Sequence, residues 1–322
     1  RELRSAIDTT MLPALKRNLP LVEPMDEARI EQIDQASMDI LEDVGVIFRD
    51  PQAIADWKSV GAEVRDDDRV HLDRGLVRDL ITSIPESFTY HARNPANNLP
   101  FGKDHSIFVP MTGAPYLRDL EDRRRGPTLD DLANFHKLSH MLPAIHSSAH
   151  HIVEPMDHVV AHRHLRITYS SMKHSDKTFM GMTTSPKNAE DVMDMCAILF
   201  GDEFMETHPV ATGNCNGNSP LVWDETMLGA MRAFCKRNQP VLCSPFVLGG
   251  ANTPASTAAA VAQLNAEALS ALPYTQVVRK GCPAIYGHYL STDSMKSGAP
   301  IAGTPEISLI NINIGQMAPY YK

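Results

Sequence analysis

The stretch that decides the fold is residues 281–306, GCPAIYGHYLSTDSMKSGAPIAGTPE. A Gly-Cys-Pro turn leads into a short apolar strand, Ala284-Ile285-Tyr286. A polar and aromatic loop with His288 and Tyr289 follows, and a helix restarts after Thr304-Pro305-Glu306. A strand that stops in polar and aromatic residues before a helix is the site-bearing unit of α/β proteins, because rigid strand ends let the loops carry chemistry. One such unit is equally an ordinary strand-to-helix connection. Its weight comes from repetition upstream.

Working back from residue 281, strands are expected at 107–110, 144–153, 177–182, 210–215, 240–244 and 284–287. The helices that follow them are expected over 128–138, 159–172, 191–200, 225–235, 257–272 and 305–317. Strand–helix alternation at intervals of roughly 35 to 40 residues is the pattern of parallel βαβ units. About six such units without a Rossmann glycine fingerprint predict an α/β fold of the TIM (β/α)8-type barrel. A complete barrel has eight strands, so the last one or two units are expected to be absent from this chain.

Residues 1–104 have a different texture. An extended arm is expected over 1–23, then helices over 24–44, 51–60 and 76–84, a small hairpin over 64–72 and a strand over 87–93. This predicts an N-terminal arm and helical cap, residues 1–104, ahead of a barrel over 105–322. The apolar positions Ile30, Ile33, Ile40, Leu41 and Val44 recur at helical spacing, and Gly45 supplies a stop.

The chain has 322 residues, 43% hydrophobic and 21% charged, the balance of an ordinary globular protein. A formal charge of −9 argues against nucleic acid as a partner, and Arg123-Arg124-Arg125 is offset by Asp119, Glu121 and Asp122. No run of about 18 apolar residues is present to span a membrane. The five cysteines form no CxxC pair, which fits reduced thiols and a cytoplasmic location.

At the strand ends the candidate substrate-binding residues are His150, His151 and Glu154; Asn214, Asn216 and Asn218; Trp223; Phe246; and Tyr286, His288 and Tyr289. His150, His151 and Glu154 invite a metal reading, but adjacent residues of a strand point to opposite faces, so hydrogen-bonding histidines are expected and no metal. The Asn214-Cys-Asn-Gly-Asn218 run is either a polar ligand cradle or a turn that uses asparagine for its backbone tolerance. Cys215 has no basic neighbour in sequence to activate it. No catalytic residue is singled out.

Three stretches together resemble the trimethylamine methyltransferase (MttB-type) superfamily. They are Gly113 to Leu132 (GAPYLRDLEDRRRGPTLDDL), Gln263-Leu-Asn-Ala-Glu267, and the opening stretch through Ile285-Tyr286-Gly287, Met295-Lys-Ser-Gly-Ala-Pro300 and Gly303-Thr-Pro-Glu306. Ile40-Leu-Glu-Asp-Val-Gly-Val46 extends the likeness toward the N-terminus. Ser294 departs from the acidic residue often found there in the family. The resemblance implies a TIM barrel that moves a methyl group from a methylated amine to the Co(I) centre of a corrinoid (cobalamin) carried by a separate protein. No tightly bound cofactor is implied for this chain.

The founding enzymes use pyrrolysine, and none occurs in these residues; any counterpart is expected at or beyond Lys322. Without it, the resemblance points to a quaternary amine such as glycine betaine, carnitine or proline betaine. Such a substrate suits Tyr286, Tyr289, Phe246 and Trp223 as aromatic faces for the cation. Glu154 is then expected as a fixed negative charge, with His150, His151 or His288 and the asparagine amides receiving a substrate carboxylate. Two alternatives stand beside this reading: a non-catalytic quaternary-amine binding module, and a metal-assisted lyase or hydrolase using His150, Glu154 and His288. A homo-oligomer is expected from the arm and the apolar last helix.

Overall fold

The computed structural model describes residues 10–102, 104–294, 296–301 and 303–321. The first nine residues of the expected arm, and Met295 of the 295–300 motif, lie outside the described residues. The chain folds into two compact units that interleave along the sequence. Of the described residues, one comprises those up to Asn18, Glu86–Gly213 and Arg237–Gln239; the other comprises Leu19–Pro85, Asn214–Lys236 and those from Pro240 onward. Both are mixed α/β.

In the first unit, Phe179–Gly181 pairs in parallel with the start of Ala211–Gly217, with Phe179 opposite Ala211 and Gly181 opposite Gly213. Helices Leu129–Met141, Val160–His174 and Pro186–Phe200 accompany them. Thr128 caps the first of these through a reciprocal box with Asp131, as its Thr-x-x-Asp spacing predicts. Pro186–Phe200 begins five residues earlier than expected because Ser185 caps it and Pro186 fills its first position.

The strands expected over 107–110 and 144–153 do not form. Isolated bridges, Ala114 to Val153 and Ser147 to Thr178, stand near them. The cause is local: Ala149 sits at φ +54°, a left-handed conformation that breaks an extended run, and the Ser147 and Ser148 hydroxyls both donate to the Thr178 carbonyl. Lys177 is only 2% exposed, and its ammonium donates to the carbonyls of Ser139, Leu142 and Ile145 at the end of the Leu129–Met141 helix. A lysine there satisfies carbonyls that the helix leaves unpaired.

In the second unit, Val241–Gly249 pairs in parallel with both Ala284–Tyr286 and Tyr289–Asp293. The expected loop after Gly287 is thus a further strand. Its Leu290 is buried with Val247, Ala260, Val261, Leu264, Ile310, Ile314 and Met317. Burial of each such side chain contributes on the order of 1.5–3 kcal/mol, enough to hold a strand with few apolar residues. The central Thr257–Val278 helix has no distinct polar face and is buried along most of its length, packed by Glu27–Asp39 and Pro305–Tyr320. Ser37 of Glu27–Asp39 donates to the Ala262 carbonyl at 2.9 Å. Residues 19–85 therefore share a core with the C-terminal part of the chain, whereas 86–104 pack with the first unit. No described helix is long and apolar enough to cross a membrane.

Candidate functional site

Alternation along Val241–Gly249 sorts the second unit into two faces. Val247 and Leu290 lie in the core beneath the Thr257–Val278 helix, so their neighbours Phe246 and Tyr289 face the other way. Phe246 and Tyr289 are opposite each other in register, with ring centroids 4.9 Å apart and planes 7° from parallel. They remain 40% and 49% exposed, and together form an exposed aromatic patch on the sheet.

The end of Ala211–Gly217 runs beside this strand. A Cβ at Gly217 would lie 3.6 Å from the Pro245 Cα, 3.4 Å from the Trp223 ring and 3.6 Å from Glu267 Oε2. Gly217 therefore faces the helix, and alternation puts Asn214 and Asn216 on the Phe246 side, Asn216 exposed. Asn218 is also exposed, and its N–H donates to the Val222 carbonyl as the chain turns. Asn252, in the turn that follows Val241–Gly249, pins the aromatic strand. Its Oδ1 accepts from the Leu248 N–H at 2.6 Å and its amide donates to the Phe246 carbonyl at 3.1 Å. An asparagine three residues beyond the strand's end was the available signal.

Three expected site residues lie elsewhere. Trp223 is fully buried and donates its indole N–H to Ser270 at 3.0 Å, so it has no face to offer a ligand. Tyr286 points to the helix side, where its hydroxyl donates to Asn265 Oδ1 at 2.5 Å; the Asn265 amide in turn donates to Ser37 and Tyr321. Burial raises the Tyr286 phenol far above its ordinary range. Gly287 is packed against Leu242, so alternation puts His288 on the Tyr286 and Leu290 side. Its Nδ1 is buried with no partner among the described residues, and burial lowers its pKa.

The first unit holds His150, His151 and Glu154. The two imidazoles are not on opposite faces of a strand, because the turn at Ala149 removes the strand; their rings meet edge to face at 4.0 Å. Both Nδ1 atoms are buried and have no hydrogen-bond partner among the described residues. His136 Nε2 donates to the His150 carbonyl at 2.7 Å, with its Nδ1 3.0 Å from the Ser170 hydroxyl. Burial pushes His136 down to about 4 and His150 well below the ordinary histidine value, and it lowers His151 as well, so all three are neutral at pH 7. Glu154 pairs with Arg163 at 2.7 Å. The carboxylate expected as a fixed negative charge for the substrate thus has a counter-charge within the chain. Among the described residues no three His, Cys, Asp or Glu side chains converge as a metal-ligand set.

The family profile described as trimethylamine methyltransferase (MTTB) matches residues 1–322. The glycine betaine methyltransferase of Desulfitobacterium hafniense (strain Y51) is 37% identical over 304 residues, covering 94% of this chain and 63% of that protein. The proline betaine:corrinoid methyltransferase of Eubacterium limosum is 25% identical over 303 residues, covering 91% of this chain and 62% of that protein. The trimethylamine methyltransferase MttB of Desulfitobacterium hafniense (strain DSM 10664 / DCB-2) is 24% identical, with 90% and 59% covered. The chain thus spans about three fifths of the length of these relatives. The crystal structure of the Methanosarcina barkeri monomethylamine methyltransferase (MtmB) superposes with a TM-score of 0.60 at 10% identity, covering 93% of this chain and 60% of that one. At that identity the likeness speaks for the fold.

Proposed function

Since this chain belongs to the trimethylamine methyltransferase (MTTB) family, we propose that it serves a corrinoid-dependent transfer of a methyl group from a quaternary amine to the Co(I) of a separate corrinoid protein. The observation that carries the reading is the 37% identity, over 94% of the chain, to a glycine betaine methyltransferase. Glycine betaine is accordingly the first candidate substrate. The reading includes the (β/α)8 barrel with a helical cap over 1–104 and a barrel over 105–322, and a cytoplasmic homo-oligomer.

The chemistry asks little of this chain beyond placement. The C–N bond of a quaternary ammonium breaks with its electron pair staying on nitrogen, so a neutral tertiary amine leaves and no proton is needed. The corrinoid, carried by the partner, supplies the nucleophile. The protein's part is to hold the methyl in line and exclude water. Phe246 and Tyr289 offer the electron-rich ring faces that attract such a cation. Asn216 sits on the same face with an amide able to donate to a substrate carboxylate. Trp223 and Tyr286 drop out of the binding set, and Glu154 drops out as its counter-charge.

The test is product analysis. Protein of this sequence incubated with glycine betaine and reduced corrinoid protein should form dimethylglycine, and should form none when the corrinoid protein is left out. Tight binding of the amine without product would favour the non-catalytic binding module.

A further inference from the structure

Glu267 is the one charged residue of the buried Thr257–Val278 helix, and is itself only 1% exposed. Its carboxylate is held entirely by neutral donors. Oε1 accepts from the Leu221 N–H at 3.1 Å and from the Gln263 amide at 2.9 Å, and Oε2 accepts from the Ser219 hydroxyl. Among the described residues it forms no ion pair. A buried carboxylate usually has a cationic partner, because leaving it unpaired costs several kcal/mol. Glu154, by contrast, has Arg163, and Asp50, 4% exposed, has Arg232.

The position of the unpaired charge is informative. Gly217 lies between Glu267 and the opposite face of its strand, and a Cβ there would come within 3.6 Å of Oε2. Asn216, next along the strand, faces the side that carries Phe246 and Tyr289. Only the backbone of a glycine separates the carboxylate from that side. We propose that Glu267 supplies the fixed negative charge beneath the Phe246–Tyr289 face, and so makes that face select a cationic ligand over a neutral one of the same shape. The inference rests on the reading of that face as the quaternary-amine site. It gives Glu267 a positioning role: the carboxylate acts on the ammonium through the sheet and does not touch it. A ten-fold gain in affinity, about 1.4 kcal/mol, is the effect expected of a charge that acts through the sheet in a medium of effective dielectric constant about 20.

The test compares two ligands by calorimetry: glycine betaine, and 3,3-dimethylbutyrate, in which a neutral carbon replaces the ammonium nitrogen. Glu267→Gln keeps the side-chain shape and removes the charge. It is expected to weaken glycine betaine at least ten-fold and to change 3,3-dimethylbutyrate less than three-fold. Gln263→Lys reaches the same end with Glu267 in place, by setting an ammonium against the carboxylate, and should reduce the preference for the cation in the same way. Equal weakening of both ligands would show that Glu267 only supports the fold locally. An unchanged preference in both variants would show that its charge is not felt at the site. Either result overturns the inference and leaves the proposed function standing. Wild-type protein that binds neither ligand would overturn both.

Discussion

Phe246 and Tyr289 face each other across neighbouring parallel strands, with rings 4.9 Å apart and 7° from parallel, and remain substantially exposed. The backbone register sets this stack, since paired strands run about 4.8 Å apart. The two rings therefore present one continuous aromatic surface on that face of the sheet.

Replacement of either ring should therefore weaken binding of a quaternary amine. Phe246→Ala and Tyr289→Ala are each expected to cost on the order of 1–2 kcal/mol, about five- to thirty-fold in Kd by calorimetry. Tyr289→Phe should stay within about two-fold, because the ring face and not the hydroxyl meets the cation.

Trp223 offers the contrasting case. Trp223→Phe removes the N–H that Ser270 accepts in the core. Loss of that bond should lower stability by about 1 kcal/mol in urea unfolding while amine affinity stays unchanged. A large loss of affinity in a folded variant would return Trp223 to the site.

Lys177 holds the carbonyls of Ser139, Leu142 and Ile145 with one ammonium. Lys177→Met leaves buried carbonyls unpaired and is expected to destabilise the protein by on the order of 2–4 kcal/mol, seen as a lower urea midpoint.

Stability should fall in mild acid. His136, held down to about 4, and His150, well below its ordinary value, stay neutral in the fold, whereas unfolded histidines titrate near 6.5. Their folded pKa values lie below the unfolded ones, so the unfolded chain binds more protons below about pH 6.5 and stability declines as pH drops from there toward 4. His136 alone contributes about 3 kcal/mol of that loss by pH 4. His91, His151, His174 and His288 are lowered as well and add to it. Glu267, raised by burial, works in the opposite direction. Denaturant titrations at pH 7.5, 6.5, 5.5 and 4.5 read the slope, and a flat profile would contradict neutral buried histidines.

Much of the fold was legible because local chemistry decided it. Asp26, Asp50 and Thr128 cap helices whose apolar spacing was plain, and the hairpin over Asp66-Asp67-Asp68 followed from its turn residues. What escaped depended on partners distant in sequence. Tyr289–Asp293 has few apolar residues and is a strand because Val241–Gly249 pairs with it. The opposite directions of Tyr286 and Tyr289 follow from alternation through Gly287, which is invisible if the segment is read as a loop. Glu154 was expected to serve the substrate cation because its partner, Arg163, sits nine residues on in the next helix. Glu267 stood within a recognised motif, yet only its burial without a cation gives it a role.

The central claim is methyl transfer from a quaternary amine to cobalt. Its most direct test mixes protein of this sequence with Co(I) corrinoid protein and follows the cobalt absorbance on addition of glycine betaine, carnitine, proline betaine or trimethylamine. The account predicts conversion to methyl-Co(III) with a quaternary amine, glycine betaine first. Absence of conversion with every quaternary amine, in a preparation whose Co(I) is methylated by a chemical donor, would contradict it.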